Sequence, residues 1–190
     1  MRVIAGSKRG LKLEALEGFE TRPTTDRVKE ALFNLIQFEI QGAKALDLFG
    51  GSGALGIEAL SRGAESVVFV DQSRASARVI KRNLERAKFE DAAKILIQDW
   101  ESALSQLENS EFDLVFVDPP YHAALESLVL EKLDLYNLLS EDAIVVIEHP
   151  ASRALPEVFA GYSFLKSRHY GMTALTLYRR HFNDNSNLPG

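Results

Sequence analysis

Two segments of this chain have residue types and spacings that could do chemistry. They are Asp118-Pro119-Pro120-Tyr121 and the run Asp47-Leu48-Phe49-Gly50-Gly51-Ser52-Gly53-Ala54-Leu55-Gly56. The tetrapeptide follows an apolar stretch, Phe112 to Val117. In an open α/β sheet, ligands gather at the carboxyl ends of the strands. An amino group on an aromatic ring is a poor nucleophile, because its lone pair is delocalised. Two acceptors on its hydrogens, the Asp118 carboxylate and the Pro119 carbonyl, would hold the nitrogen pyramidal and aim the lone pair at an electrophile. Two prolines make those acceptors rigid and remove competing amide donors. Tyr121 offers a face on which a flipped base can stack. Taken alone, Asp-Pro-Pro reads equally as a turn after a strand. Placed after the fourth strand of a sheet whose first strand ends in a glycine loop, it points to methyl transfer onto an amino nitrogen.

The glycine loop follows one strand pattern and opens a helix. Gly51, Gly53 and Gly56 spell G-x-G-x-x-G, and Asp71 stands 20 residues after Gly51 at the end of the next strand. An acid there can take both hydroxyls of a ribose. Two cofactors fit this far, a nicotinamide dinucleotide and S-adenosylmethionine. Asp47 separates them, since a carboxylate just before the glycines repels a pyrophosphate and pairs with the cationic amino group of a methionine moiety. The alternative for Asp47 is a carboxylate that accepts loop amides. Asp99, in Ile97-Gln98-Asp99-Trp100, has two readings as well: acceptor for an adenine amino group, or N-cap of the next helix.

The elements that must position these residues can be read from periodicity. From residue 44 onward, KALDLF, SVVFVD, KILIQD, FDLVFVD and AIVVIEH read as strands. Helical patterns near 54–62, 73–89, 99–108 and 123–138 lie between them. Apolar strands alternating with amphipathic helices predict an α/β fold, a mostly parallel sheet with helices on both faces. Gly63 stands where a helix end needs a left-handed residue. SFLKSRHYG and MTALTLYRR, joined at Gly171-Met172, predict a C-terminal antiparallel hairpin. The N-terminus reads as a β-hairpin extension over 1–20, with RVIA and LKLEA flanking a turn around Gly6 to Gly10. Arg22-Pro23-Thr24-Thr25 is a helix-start signal, followed by Val28, Ala31, Leu32, Leu35 and Ile36 at helical spacing. One domain over 1–182 is expected, with a frayed polar tail at 183–190.

Composition narrows the function classes. Hydrophobic residues at 46% and charged residues at 26% exclude general disorder. The chain has no cysteine, so disulfides, cysteine-ligated metals and a cysteine nucleophile are excluded. No apolar run approaches a membrane span and no signal-peptide core is present, which makes a cytoplasmic location the expectation. No metal, no membrane and no obligate protein partner is expected. The net charge of −5 is segregated. Arg2, Lys8, Arg9 and Lys12 precede any acid, and residues 72–88 hold six basic residues against Glu85. Lys166, Arg168, Arg179 and Arg180 share 158–183 with no acid, while Lys132 is the only base among a dozen carboxylates over 99–148. The basic segments could gather as a phosphate-attracting face, or simply be solvated surface.

The motifs above resemble Rossmann-like class I S-adenosylmethionine-dependent methyltransferases. Residues 22–34, 47–56 and 58–64, with Asp118 to Tyr121, resemble the RsmD family over residues 1 to about 180. That family methylates N2 of a guanine in bacterial 16S rRNA within the 30S subunit or its assembly intermediate. The resemblance implies cofactor contacts at Asp47, Phe49, Gly50, Gly51, Ser52, Gly53, Asp71, Gln72, Gln98 and Asp99. It puts the guanine amino group on Asp118 and Pro119, with Tyr121 in the catalytic set. Arg9, Lys12, Arg22, Thr24, Arg27, Pro120 and His122 would face the RNA. Two positions depart from the family pattern. Gly50 stands where alanine is usual, and Phe69-Val70-Asp71-Gln72 replaces a Val-Glu-Lys-Asp style while keeping the acid. His122 and His149 read as structural or substrate-facing. Competing readings are an N6-adenine or N4-cytosine transferase, a protein glutamine transferase (which usually has Asn where Asp118 stands), an NAD-dependent oxidoreductase, and a catalytically idle binding module.

Overall fold

A computed structural model describes residues 1–16, 26–120, 124–159 and 161–181. Arg22, Thr24, Tyr121 and His122, and the tail after His181, lie outside the described residues. Eight strands form one sheet in the order β3-β2-β1-β4-β5-β8-β7-β6. Strands β1 (Lys44–Asp47), β2 (Ser66–Val70), β3 (Ala93–Leu96), β4 (Phe112–Val117) and β5 (Leu139–Pro150) run parallel, and β8 (Thr173–Arg180) pairs antiparallel with β5. Strand β7 (Tyr162–Tyr170) pairs antiparallel with β8, and β6 (Val158–Phe159) with β7. The mostly parallel sheet and the C-terminal antiparallel hairpin are as the periodicity predicts.

Successive residues of each strand point to opposite faces, so each strand feeds two cores. Ala45, Leu114, Phe116, Ile144, Val146, Leu175 and Leu177 face one side. There they pack with α1 (Asp26–Leu35), α2 (Ala54–Ser61), α3 (Arg74–Ala87) and the N-terminal segment. Leu46, Val115, Val117, Val145, Ile147 and Tyr178 face the other side, under α4 (Trp100–Gln106) and α5 (Glu126–Leu135). In α3, buried Ser76, Ala77, Val79, Ile80, Asn83, Leu84 and Ala87 follow the helical repeat. Ser73 caps its start by accepting the amides of Ala75 and Ser76. Gly63, just past α2, has φ +105°, the value that only glycine tolerates easily.

Some boundaries differ from expectation. KILIQD forms a strand only to Leu96, because β3 is an edge whose last partner is Val70; Ile97 and Gln98 continue beyond it. The N-terminal hairpin shrinks to a single bridge, Arg2 to Lys12, around a 3-10 turn at Gly6–Lys8. The amides of Ile4 and Ala5 are drawn away to the Glu58 carboxylate, at 2.8 and 2.9 Å, and so form no ladder. The last strand in sequence sits inside the sheet rather than at its edge, because the β7–β8 hairpin folds β7 outward. No helix among the described residues is long and apolar enough to cross a membrane.

Candidate active site

The strand order reverses between β1 and β4, and a crevice at such a point is where open α/β sheets bind ligands. Five acids stand at or just past the carboxyl ends of the five parallel strands: Asp99, Asp71, Asp47, Asp118 and Glu148 in spatial order. Asp47 ends β1 and is 2% exposed. Its Oδ2 accepts the Gly56 amide at 3.0 Å, so the loop-amide alternative is realised. That bond uses one of several acceptor positions on a carboxylate. Burial pushes the Asp47 carboxyl up to about 7, against the pull of the Gly56 amide, with Asp71 adding to the rise.

Asp118, half-buried past β4, is pushed well above the usual carboxylate range by burial, then by Glu148 and Asp47. No described cation pairs with Asp47 or Asp118. A site of this kind favours a cationic ligand, because negative charges crowded at low dielectric are relieved by a positive one. Pro119 is buried beside Asp118, and Pro120 is exposed.

The loop itself is shaped by packing. Gly53 has φ +78° and, as the N-cap of α2, supplies no side-chain cap; of the first amides of α2, that of Gly56 goes to Asp47 instead. A Cβ on Gly56 would lie 2.3 Å from Phe69 Cε1 and 2.8 Å from Val67 Cγ1. The third glycine therefore serves close packing of α2 on β2. Phe49 is partly buried against the second core, and Gly50 is buried, its amide donating to Val70 at 2.8 Å. Ser52 holds its carbonyl 2.9 Å from Asn83 Nδ2, which also donates to the Glu14 carbonyl at 3.1 Å. The N-terminal segment thus borders the loop.

Asp71 is half-buried and both of its oxygens already accept backbone amides, from Gly51 at 2.9 Å and Ser73 at 2.8 Å. It anchors the loop as well as standing at the position expected for a ribose. Asp99 is exposed and caps α4 by accepting the Ser102 amide at 3.0 Å; that bond holds its carboxyl below the usual range. The cap occupies Oδ1 of the carboxylate. Gln98 turns aside to donate to Gln106 Oε1 at 2.9 Å, while Gln72 is exposed. His149 is buried, with both ring nitrogens in contact with protein groups. Its Nδ1 lies 3.1 Å from the Pro150 carbonyl and its Nε2 2.8 Å from Thr176 Oγ1, and burial holds it below the usual histidine range.

Arg9, Lys12 and Arg27 are exposed and have no acidic partner among the described residues. Other basic residues are committed. Arg82 and Arg86 pair with Glu14 at 2.7 and 3.6 Å, Arg179 with Glu39 at 3.4 Å, and Arg180 with Asp134 at 3.0 Å. Two features escaped the sequence reading. Glu148 joins the acid group, although a charge ending the apolar run AIVVIE was a visible signal. Glu58 and Lys29 form a buried ion pair at 3.2 Å, for which no local pattern gives warning.

The elevated Asp47 carboxyl has a testable consequence. Between about pH 4 and 7 the folded state holds a proton that the unfolded chain has released, so ligand-free stability falls as pH rises through that window. Asp47→Asn should make the slope of melting temperature against pH shallower. Equal slopes in both proteins would refute the buried, high-affinity proton on Asp47.

The fold is that of the Rossmann-like methyltransferases. The solved structure of yhhF from Escherichia coli superposes with a TM-score of 0.86 at 36% identity, covering 95% of this chain and 98% of that one. A protein named Ribosomal RNA small subunit methyltransferase D from Escherichia coli K12 is 36% identical over 180 residues, 95% of this chain and 90% of that protein. Its namesake from Haemophilus influenzae is 38% identical over 183 residues, 94% and 93% of the two. The sequence pattern of the family described as Conserved hypothetical protein 95 matches residues 1–179, and the chain belongs to that family, the RsmD family.

Proposed function

We propose that this chain is an S-adenosylmethionine-dependent methyltransferase acting on N2 of a guanine in 16S rRNA, at position 966 as the family resemblance implies. The observation that carries the reading is the adjacency, across the β1–β4 switch point, of Asp47 with its glycine loop and Asp118 with Pro119. The donor set suits this cofactor. A buried carboxylate pushed up to about 7 and a neighbouring acid at Asp118 would repel a pyrophosphate and welcome a cationic amino acid moiety. When bound, S-adenosylmethionine supplies an electrophilic methyl on a positively charged sulfur that is its own leaving group. Asp47 and the loop that opens α2 hold its methionine end, and Asp71 keeps acceptor capacity for the ribose. Asp99 and the apolar residues around it border the adenine. Asp118 and the Pro119 carbonyl accept the two hydrogens of the guanine amino group and orient its lone pair. The proton lost on methylation passes to Asp118 or to water. Tyr121 and His122 would border the base. Arg9, Lys12, Arg22, Thr24, Arg27 and Pro120 would face the RNA of a small subunit or its assembly intermediate.

Asp47→Ala should weaken binding of S-adenosylhomocysteine by about 2 kcal/mol or more, the scale of losing one partner of a buried charge pair. Titration calorimetry with S-adenosylhomocysteine and with NAD measures this. Unchanged affinity would remove Asp47 from the cofactor site, and tighter binding of NAD would favour an oxidoreductase.

The reaction is tested by incubating the protein and labelled cofactor with undermethylated small subunits, protein-free 16S rRNA and a DNA duplex. N2-methylguanine, formed fastest on the subunit, is the expected product. N6-methyladenine or N4-methylcytosine would overturn the guanine assignment, and equal activity on DNA would overturn the ribosomal one. A folded subunit is the preferred substrate because it presents a splayed base, which lowers the unstacking cost of a few kcal/mol.

A further inference from the structure

Two clefts meet at Arg27. One, of 320 Å³, is lined by residues that include Arg9, Gly10, Asp26, Arg27 and Glu30. The other, of 310 Å³, is lined by Arg27, Val28, His169, Tyr170 and Gly171. Arg27 is therefore the shared wall between the N-terminal segment and the turn joining β7 to β8. Asp26 is already paired with Arg2 at 3.0 Å, which among the described residues leaves Glu30 as the acid without an ion pair against Arg9 and Arg27 in the first cleft. Among the described residues, none that lines the second cleft is an acid.

Register places the turn beside the reactive edge. Val117 pairs with Ile147, and Glu148 with Leu175, so Asp118, Glu148 and Leu175 lie at about one level across β4, β5 and β8. At a strand spacing of about 4.8 Å, β8 is roughly 10 Å to the side of Asp118. Thr173 and Met172 then carry the hairpin two to three residues further, roughly 7–10 Å beyond that level. The Ala151 amide, which donates to the Met172 carbonyl at 2.8 Å, ties the turn to the end of β5. His169, Gly171 and Met172 are exposed, and Tyr170 is partly buried against the first core. The turn thus stands up next to the site as a wall with a rigid base and an open tip.

Charge decides what passes along this line. The strand ends at Asp47, Asp118 and Glu148 repel phosphate, whereas Arg9, Arg27 and His169 lie on the line through the two clefts. A polyanion would run over the clefts and offer only a neutral base to the acids. We propose that Arg27 and the β7–β8 turn, through His169 and Tyr170, form the second half of an RNA track, continuing the path of the single strand from Arg9 and Lys12. This deepens the function proposed above and rests on it. His169 meets a phosphate, Arg27 bridges the two clefts, and Tyr170 backs the neighbouring nucleotide.

The experiment compares wild type, Arg9→Glu with Lys12→Glu, Arg27→Glu, and His169→Glu. Affinity for a labelled 16S rRNA fragment is measured over a range of salt concentrations, together with KM and kcat on undermethylated small subunits. Melting temperature and S-adenosylhomocysteine affinity report on the fold and the cofactor site. Arg27→Glu and His169→Glu should each weaken RNA binding about tenfold or more, and Arg27→Glu should lower the log–log salt slope by about one, the loss of one cationic phosphate contact. KM should rise with kcat nearly constant, and cofactor affinity should not move. If only the Arg9/Lys12 variant loses affinity, the turn is not part of the track, and the methyltransferase reading stands. If wild type neither binds nor methylates the RNA, that reading fails first and the track falls with it.

Discussion

Asp118→Ala is expected to lower turnover about 10²-fold or more, the usual result of removing one preorganised group that acts on developing charge. Affinity for S-adenosylhomocysteine should hardly change. The reason is a division of labour across the switch point: Asp47 and the glycine loop end one strand, and Asp118 ends the neighbouring one. As the amino nitrogen attacks, it gains positive charge, and an acceptor on its hydrogens strengthens in the transition state more than in the ground state. Asp118 must be ionised to act this way. In the free protein, burial and then the charges of Glu148 and Asp47 raise its affinity for a proton. A cation bound at Asp47 favours the ionised form, so cofactor binding prepares the acceptor. Asp118→Asn keeps one neutral acceptor and should fall between wild type and alanine. Turnover near wild type with collapsed cofactor affinity would show that Asp118 belongs to the cofactor site instead.

Glu58→Ala carries the largest expected cost to stability, about 3–5 kcal/mol, the range for breaking a buried ion pair from one side. Glu58 is fully buried in α2 and satisfies four donors: the amides of Ile4 and Ala5 at 2.8 and 2.9 Å, Arg62 Nε at 2.8 Å and Lys29 Nζ at 3.2 Å. Lys29 is also fully buried. Burial lowers its affinity for a proton, and Glu58 is the main influence raising it again. Removing the carboxylate leaves an unpaired buried ammonium and two orphaned amides. For a chain of this size the melting temperature should drop roughly 6–20 °C. A double change, Lys29→Met with Glu58→Leu, should be less harmful than either single change, because it removes the stranded charge. A loss under about 1 kcal/mol in Glu58→Ala would refute the assignment. The same carboxylate moors the segment that carries Arg9 and Lys12. A partly destabilised variant that still folds, such as Glu58→Gln, should therefore show a raised KM for RNA before any change in cofactor affinity.

Local pattern in this chain determined a good deal by itself. Apolar runs separated by helical repeats specify strands and helices, and their alternation specifies a parallel sheet. Strand, glycine run and helix in succession specify a loop with free amides, and Gly63 marks the left-handed end of α2. Asp47, Asp71 and Asp118 could be placed at strand ends because each directly follows an apolar run, whereas Asp99 stands after Gln98, beyond its strand. Such features depend on residues a few positions apart, whose relation the backbone repeat settles. Partnerships between distant residues were decided only by the tertiary structure. In the N-terminal segment the amides of Ile4 and Ala5 go to Glu58, 54 and 53 residues away, and not to the facing arm of the hairpin. Asp71, 20 residues from Gly51, anchors that residue's amide because the folded chain brings the glycine loop against the end of β2. Glu14, 68 residues from Arg82, neutralises part of what reads as a basic helix, and Asp134 does the same for Arg180 on β8. Glu148 enters the acid group because β5 lies beside β4, an order that no spacing in the sequence encodes. Charge acts through space over several ångströms, so its partners follow from strand order and helix docking, and those are set by how the two cores close.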